Sequence, residues 1–490
     1  MELREVVAAL EPASVDTDAN AVFERVAVDP TTADSRTLFV CIEGFGLDGH
    51  DFAAEAVANG AVAVVAERRL DVGVPQVVVP DTRAALAVIA DEFWRRPTEE
   101  LRVVGVTGTS GKTTTAYLVH SILDAAGLRP GLFSGVEIQI GDVRCPSHTS
   151  SPSVFHLQRR FRAMLDAANA TCVVEATSHY STLRRLDRVR FAALVFTNLG
   201  HDHLDFHGTR ERYFDAKRRL FINGAPPAAV NVGDAYGRRL AAELARRGHE
   251  RVTTFGLADE ADVRPDELVL SPAGAHIRVG ELTLTTPLLG AHNVENVLAA
   301  VATARLVGAS DDAICAGVAR MGGVPGRMES VDAGQPFRVF VDYAHKPEAL
   351  EAVLRTARAV TEGRVICVFG CGGDCYRGKR PMMGRIAAEL ADRTILTTDN
   401  PRDEDPLAIV ADVVAGGEPD EVIADRREAI ARALQLASDG DVVVVAGRGH
   451  EDAQTFEQAR RVPFDDREVV RELLGATRPA TAVGTPAARE

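Results

Sequence analysis

Residues Thr107–Thr114 read Thr-Gly-Thr-Ser-Gly-Lys-Thr-Thr, between the apolar run Leu101–Val106 and a helical pattern that begins near Ala116. A strand, a glycine-punctuated loop and a helix in that order point to an α/β fold. They also place a row of backbone N–H groups and a helix N-terminus where polyphosphate can sit. In such a loop Lys112 would reach the β- and γ-phosphates and the hydroxyl of Thr113 would face a Mg²⁺ ion. The strict pattern has a glycine five residues before Gly111, where this chain has Val106. The competing reading is a glycine-rich turn that binds nothing. Lys-Thr-Thr at the start of a helix dipole favours the phosphate cradle, and with it ATP.

The chain has 490 residues, too many for one core, so about two to four domains are expected. A formal charge of −15 argues against nucleic acid or an anionic membrane as the main partner. Met-Glu-Leu-Arg-Glu is not a signal peptide, and no apolar run approaches the roughly 20 residues of a membrane span. An acidic cytoplasmic enzyme fits, and a monomer is expected. The seven cysteines lack paired zinc spacing. Cys371 and Cys375 lie close together, but no second Cys/His pair completes a site, so reduced thiols are expected.

Three blocks emerge along the chain. Over residues 1–98, apolar runs at Thr37–Ile42, Ala61–Ala66 and Gln76–Val79 alternate with alanine-rich helical patterns, a small α/β unit. Over 99–328, Cys172–Glu175, Ala192–Thr197, Ala229–Val232 and Val252–Phe255 follow the phosphate loop as buried strands, predicting a mostly parallel sheet with helices on both faces. After Pro325-Gly326-Arg327 the pattern restarts, with strands at Arg338–Asp342, Val365–Gly370, Arg393–Thr397 and Asp441–Ala446, so 329–475 reads as a Rossmann-like unit. Residues 476–490, rich in Ala, Thr, Pro and Gly, read as a disordered tail.

Ligands in such sheets bind beyond the carboxyl ends of the strands. Glu175 ends one strand and could take a Mg²⁺ that bridges phosphates. The next is followed by His201-Asp202-His203-Leu204-Asp205-Phe206-His207, five ionisable residues in seven. Singly, each reads as a solvated loop residue; together, after a buried strand, they mark a site. Lys217 lies in a helix marked by Phe214 and Phe221, and on spacing alone it is a surface lysine.

Several motifs occur in series. They are the phosphate loop, Asn198-Leu-x-x-Asp-His-Leu-Asp-Phe-His-Gly208, Tyr213-Phe-x-Ala-Lys-x-x-Leu-Phe221, Asn293-Val-Glu-Asn296, Val324-Pro-Gly-Arg-Met-Glu329, Asp342-Tyr-Ala-His345 and Gly447-Arg-Gly-His-Glu451. Together they resemble the Mur ligases, over nearly the whole chain and in the right order. The resemblance implies an N-terminal domain for a UDP-sugar, a central ATPase and a C-terminal domain that brings an amino acid. Within the family, the chain is similar to the members that add the third residue of the peptidoglycan stem peptide. These phosphorylate the D-glutamate γ-carboxylate of UDP-MurNAc-L-Ala-D-Glu with ATP and Mg²⁺, and an amine then displaces the phosphate.

The resemblance also implies roles. Thr113, Glu175 and His203 become metal ligands, and Lys217 matches a lysine that CO₂ converts to a carbamate, against its surface reading. Thr107, Gly108, Thr109, Ser110, Gly111, Lys112, Thr113 and Thr114 become the phosphate site, Asn293 and Asn296 the adenine contacts and Asp342 the ribose acceptor. Arg327 and His345 come near the phosphates on domain closure. A helix cap for the asparagines and an ordinary strand end for Asp342 are the bland alternatives. Asp48 and His50 fall on the uridine side; Ser150, Ser151, Thr177 and Arg185 fall on the sugar-peptide. Asp399-Asn400-Pro401-Arg402 goes with meso-diaminopimelate, whose distal carboxylate Arg402 would pair; a simple turn also explains Asn-Pro. Gly447 and Glu451 match positions around the distal end.

Two departures stand out. Cys375 replaces an arginine of the family's Gly-Gly-Asp-Arg that clamps the incoming carboxylate, leaving Arg377 or Arg380 to compensate or a different amino acid to enter. Pro30 falls where the family has the serine of Asp-Ser-Arg, which this chain carries instead at Asp34–Arg36. A related ligase with another carboxylate or amine, and a nucleotide-binding regulator without catalysis, are the other two readings.

Overall fold

A computed structural model describes residues 1–10, 14–15, 20–44, 46–147 and 153–475. Ser150, Ser151 and the tail 476–490 lie outside the described residues. The strands group into separate sheets. The N-terminal one has five strands in the spatial order Ser14–Val15, Gln76–Val78, Ala63–Ala66, Thr37–Val40, Arg25–Ala27, parallel except for Ser14–Val15. Thr37–Val40 and Ala63–Ala66 are buried at every position, as strands covered on both faces require. Asp81 caps the helix Thr82–Phe93, accepting a hydrogen bond from the backbone N–H of Ala84. That helix leans on the next unit, with the Phe93 and Phe155 rings 5.0 Å apart.

The central sheet has eight strands, and Arg102–Thr107 pairs in parallel with Thr171–Glu175 on one side and Phe191–Phe196 on the other. The chain leaves this strand at the switch between the two directions of winding, where an open α/β sheet has its crevice. One face is covered by Lys112–Ala125, Ala291–Leu306 and Asp311–Arg320, the other by Val154–Asp166, Arg210–Ile222 and Ala235–Arg246. The helix after the loop starts at Lys112, four residues before the sequence pattern suggests. Gly111 enters it at φ +83°, and a Cβ there would collide with Asn296. The sheet ends in an antiparallel hairpin, Glu137–Ile140 and Val143–Pro146, and a three-stranded antiparallel sheet, Glu267–Ser271, Gly274–Val279 and Leu282–Thr286, precedes Ala291–Leu306.

The C-terminal sheet has six strands, ordered Glu329–Ser330, Arg338–Asp342, Val442–Ala446, Val365–Phe369, Arg393–Leu396, Glu421–Val422, parallel except for the first. Apolar clusters fill both of its faces. The buried Arg426–Asp466 pair, 2.7 Å apart, ties its strand ends together, because Arg426 also donates to the carbonyls of Thr398 and Ala446. Losing one member of such a pair costs about 3–5 kcal/mol.

Candidate functional site

The carboxyl ends of the central and C-terminal sheets face each other across a cavity of about 840 Å³. Of the predicted phosphate site, Thr109, Ser110, Gly111, Lys112, Thr113 and Thr114 line it, while Thr107 and Gly108 are not among the lining residues. The loop is fastened to the neighbouring strand end. Ser110 donates its N–H to Asn198 Oδ1 at 2.9 Å, and its carbonyl accepts from Thr197 Oγ1 at 2.7 Å. Lys112 bends back to its own loop, donating to the carbonyls of Gly108 (3.0 Å) and Thr109 (2.9 Å). Burial and the neighbouring Lys346 lower its pKa to about 8. Thr113 donates to Glu175 Oε1 at 2.9 Å, and the same oxygen accepts from the N–H of Gly135. Arg327 reaches Thr113 Oγ1 at 3.2 Å and lies over the Tyr343 ring.

Lys217 is where the surface reading fails. It is 1% exposed, and its ammonium donates to Gly108 O at 2.8 Å and lies over the Tyr213 ring. Burial, then Lys112 and Lys346, push its pKa well below the usual lysine range. The amine sits behind the loop, beside the ring of Tyr213, which in turn meets the rings of His203 and His207.

The acid and histidine run divides. Asp202 is buried against Lys346 (2.6 Å) and His203 Nε2 (3.0 Å). Burial would raise its carboxyl, but those two partners hold it well below the usual range. His203, at φ +52°, lines the cavity, and burial keeps it neutral. His201 turns outward to Glu348, and His207 bonds Ser178 at 3.0 Å. Lys346 also donates to Thr109 O at 3.3 Å, tying the C-terminal unit to the phosphate loop. Sequence reasoning stopped at His345 and missed this lysine, its immediate neighbour.

The asparagines are not helix caps, since Gly290 occupies the cap of Ala291–Leu306. Asn293 donates to Leu289 O, and Asn296 bridges Asn293 and Thr115, which brings both to the cavity edge beside Gly111. Asp342 is more than a strand end. Its carboxylate accepts from the N–H of Met328 at 2.6 Å, and burial raises its pKa to about 6. His345 lines the same wall, neutral through burial and the nearby Lys346 and Lys379.

Asp399, Asn400, Arg402, Gly447 and Glu451 converge at the far end. Asn400 donates to Glu451 Oε2 at 2.7 Å, and the buried Arg448 donates to Asn400 Oδ1 at 2.6 Å. Gly447 has φ +122°, and a Cβ there would strike Asp399. Arg402, at φ +53°, is exposed and donates to the Gly373 carbonyl. Cys375 lines the cavity and donates to Gly372 O at 3.1 Å. Neither arginine expected to compensate for it reaches the cavity lining: Arg377 pairs with Glu404, and the buried Arg380 with Glu404 and Asp412. All seven cysteines are free thiols.

Four predicted substrate residues stand elsewhere or partly so. Thr177 lines the cavity and caps Ser178–Thr182. Arg185, half-buried, is not among the lining residues. Asp48 and His50 bond each other in the N-terminal unit; two hydrogen bonds from His50 lower the Asp48 pKa to about 2, and His50 Nε2 accepts from the N–H of Glu67. Pro30 opens a short 3-10 turn capped by Asp29, a position that needs no N–H, so the displaced Asp-Ser-Arg has a local structural reason.

Hard oxygens at Thr113 and Glu175 suit Mg²⁺. Among the described residues no three His, Cys, Asp or Glu side chains converge on a metal position, so Glu175 and His203 need a further oxygen donor.

The chain matches the Mur ligase middle domain over residues 106–304, the Mur ligase glutamate ligase domain over 326–449 and the Mur ligase family catalytic domain over 24–94. Curated relatives include UDP-N-acetylmuramoyl-L-alanyl-D-glutamate–2,6-diaminopimelate ligases of Syntrophomonas wolfei (39% identical, 97% of this chain and 99% of the relative) and Bacillus cereus (39%, 97% and 98%). A solved structure of a ligase of that description is 32% identical, with TM-score 0.70 over 97% of this chain and 99% of the other. MurF from Acinetobacter baumannii, 22% identical with TM-score 0.65 over 97% of each chain, shares the fold. No helix among the described residues is long and apolar enough to cross a membrane.

Proposed function

Because the chain is an ATP-dependent ligase of the Mur ligase family, we propose that it joins meso-diaminopimelate to the D-glutamyl γ-carboxylate of UDP-MurNAc-L-Ala-D-Glu in the cytoplasm. The observation that carries this reading is one cavity with a phosphate cradle at one end and the Asp399, Asn400, Arg402, Glu451 group at the other. The γ-carboxylate oxygen attacks the γ-phosphorus of ATP, ADP leaves, and an acyl phosphate remains. The amine then attacks the acyl carbon and phosphate departs. Two anions must approach each other in the first step, and the loop amides, Lys112, Arg327 and Lys346 offset that repulsion. Asn293 and Asn296 face the base and Asp342 the ribose. Glu451 and Asp399 receive the distal ammonium, and Arg402 the distal carboxylate.

Mg²⁺, held by Thr113 and Glu175 with His203 and a Lys217 carbamate nearby, would supply further neutralisation of phosphate charge. The carbamate turns the buried amine into an anionic oxygen donor: the Lys217 ammonium first gives up a proton, its nitrogen then bonds the carbon of CO₂, and a second proton is released. UDP-MurNAc binding falls to Asp48 and His50 in the N-terminal unit, with Ser150, Ser151, Thr177 and Arg185 meeting the sugar-peptide. A second reading, another amine in the same chemistry, is favoured by the uncharged Cys375. Measuring ADP release with UDP-MurNAc-L-Ala-D-Glu and a panel of amino acids separates them. Turnover that depends on diaminopimelate supports the proposal, and turnover only with other amines overturns it.

A further inference from the structure

Lys379 is a buried cation without a partner. It is the first residue of the twelve-residue helix Lys379–Leu390, is 6% exposed and lines the cavity. No hydrogen bond or ion pair from the described residues reaches its ammonium. The rest of its segment is committed: Arg377 and Arg380 are held by Glu404, and Cys375 brings no charge. The helix N-terminus adds its own partial positive charge at the same spot.

A cation that lines a ligand cavity with no protein partner among the described residues offers a charge-assisted contact to an anion of the ligand. The phosphate end already has Lys112, Lys346 and Arg327 on its loop, Asp202 and Thr113. The opposite end is rich in acceptors, with Asp399 and Glu451, and its Arg402 leans on the Gly373 carbonyl. Lys379 stands between the two, within the electrostatic reach of His345 on the phosphate side.

We propose that Lys379, backed by the N-terminus of its helix, holds the α-carboxylate of the incoming amino acid and so orients its amine toward the acyl phosphate. This rests on the ligase reading above. One charge-assisted contact of this kind is worth about 10- to 100-fold in binding.

The test is steady-state kinetics with ATP and UDP-MurNAc-L-Ala-D-Glu saturating, and meso-diaminopimelate compared with its monoamide at the reacting end. Lys379→Met is expected to raise KM for diaminopimelate about 10- to 100-fold, leave KM for ATP within about 2-fold, and erase the wild type's preference for the acid over the amide. Lys379→Arg should recover most of the loss and the exposed Arg377→Gln should change little, with melting curves confirming that each variant folds. A Lys379→Met enzyme that keeps its preference for the acid, or loses only kcat or ATP affinity, overturns the proposal. Wild-type turnover with a different amino acid instead overturns the substrate reading alone, and the same acid-against-amide comparison on that amino acid then decides the role of Lys379.

Discussion

Replacing Lys217 tests whether its buried amine becomes a carboxylate. In the structure the amine is sealed from solvent and donates to Gly108 O, and burial beside two other lysines pushes its pKa well below the usual lysine range. Lys217→Met keeps the aliphatic stem in place and removes only the reactive end, so the fold should survive with a melting temperature within a few degrees of wild type. Loss of one preorganised electrostatic group at a phosphoryl-transfer site costs about 10²–10³ in kcat, or about 2.7–4 kcal/mol. Lys217→Ala opens a space the size of the lost side chain, and acetate or formate at about 0.1 M should recover roughly 10-fold of activity in that variant, because an untethered carboxylate must be ordered on binding. The assay is ADP release with and without the added acid, alongside ¹³C NMR of wild type in ¹³C-bicarbonate for a carbamate carbon. Full activity of Lys217→Ala without any added carboxylate would refute the reasoning.

Nucleotide affinity should peak between about pH 6 and 8. Lys112 titrates at about 8 when free and is driven toward its charged form by phosphate, so binding takes up a proton and weakens as pH rises past that value; Asp342, raised to about 6, loses its carboxylate below it. Calorimetry of an ATP analogue across pH checks both limbs, and a flat profile contradicts them. Gly111→Ala forces a side chain into Asn296 at φ +83° and should cost about 1–3 kcal/mol of stability together with measurable ATP binding, read by thermal melts with and without nucleotide. Lys346→Gln leaves Asp202 buried beside His203 without its cation, and should lower kcat by at least about 10-fold while hardly moving KM for the amine, since Lys346 bonds the phosphate loop. Arg402→Ala should raise KM for diaminopimelate by about 10-fold or more but leave KM for lysine, which has no distal carboxylate, nearly unchanged.

The parallel strands were legible in the sequence because burial on both faces makes them continuous apolar runs, as at Cys172–Glu175 and Arg338–Asp342. The antiparallel additions were not: Glu267–Ser271 is largely exposed and carries no run, although the alternation of Leu282, Leu284 and Thr286 was there to be read. The helix start was placed late because three threonines after Lys112 are poor helix formers, and the loop geometry starts the helix regardless. Lys217 shows a signal present but unread. Tyr213, Phe214, Leu220 and Phe221 form the buried stripe of Arg210–Ile222, and Lys217 lies in the middle of it, three and four residues from each pair. By contrast, the engagement of Arg377 and Arg380 by Glu404 depends on a loop more than twenty residues away, and nothing in the local sequence announces it. The same holds for Lys346, whose importance comes from Asp202 in another unit.

The central claim is that ATP activates a carboxylate as an acyl phosphate in the cavity between the two sheets. UDP-MurNAc-L-Ala-D-Glu labelled with ¹⁸O in its γ-carboxylate tests it most directly, by mass analysis of the phosphate released in the presence of ATP and meso-diaminopimelate. The account predicts one ¹⁸O in each phosphate released and an amide product that retains the other. Unlabelled phosphate, formed at the same rate as the amide, would contradict it.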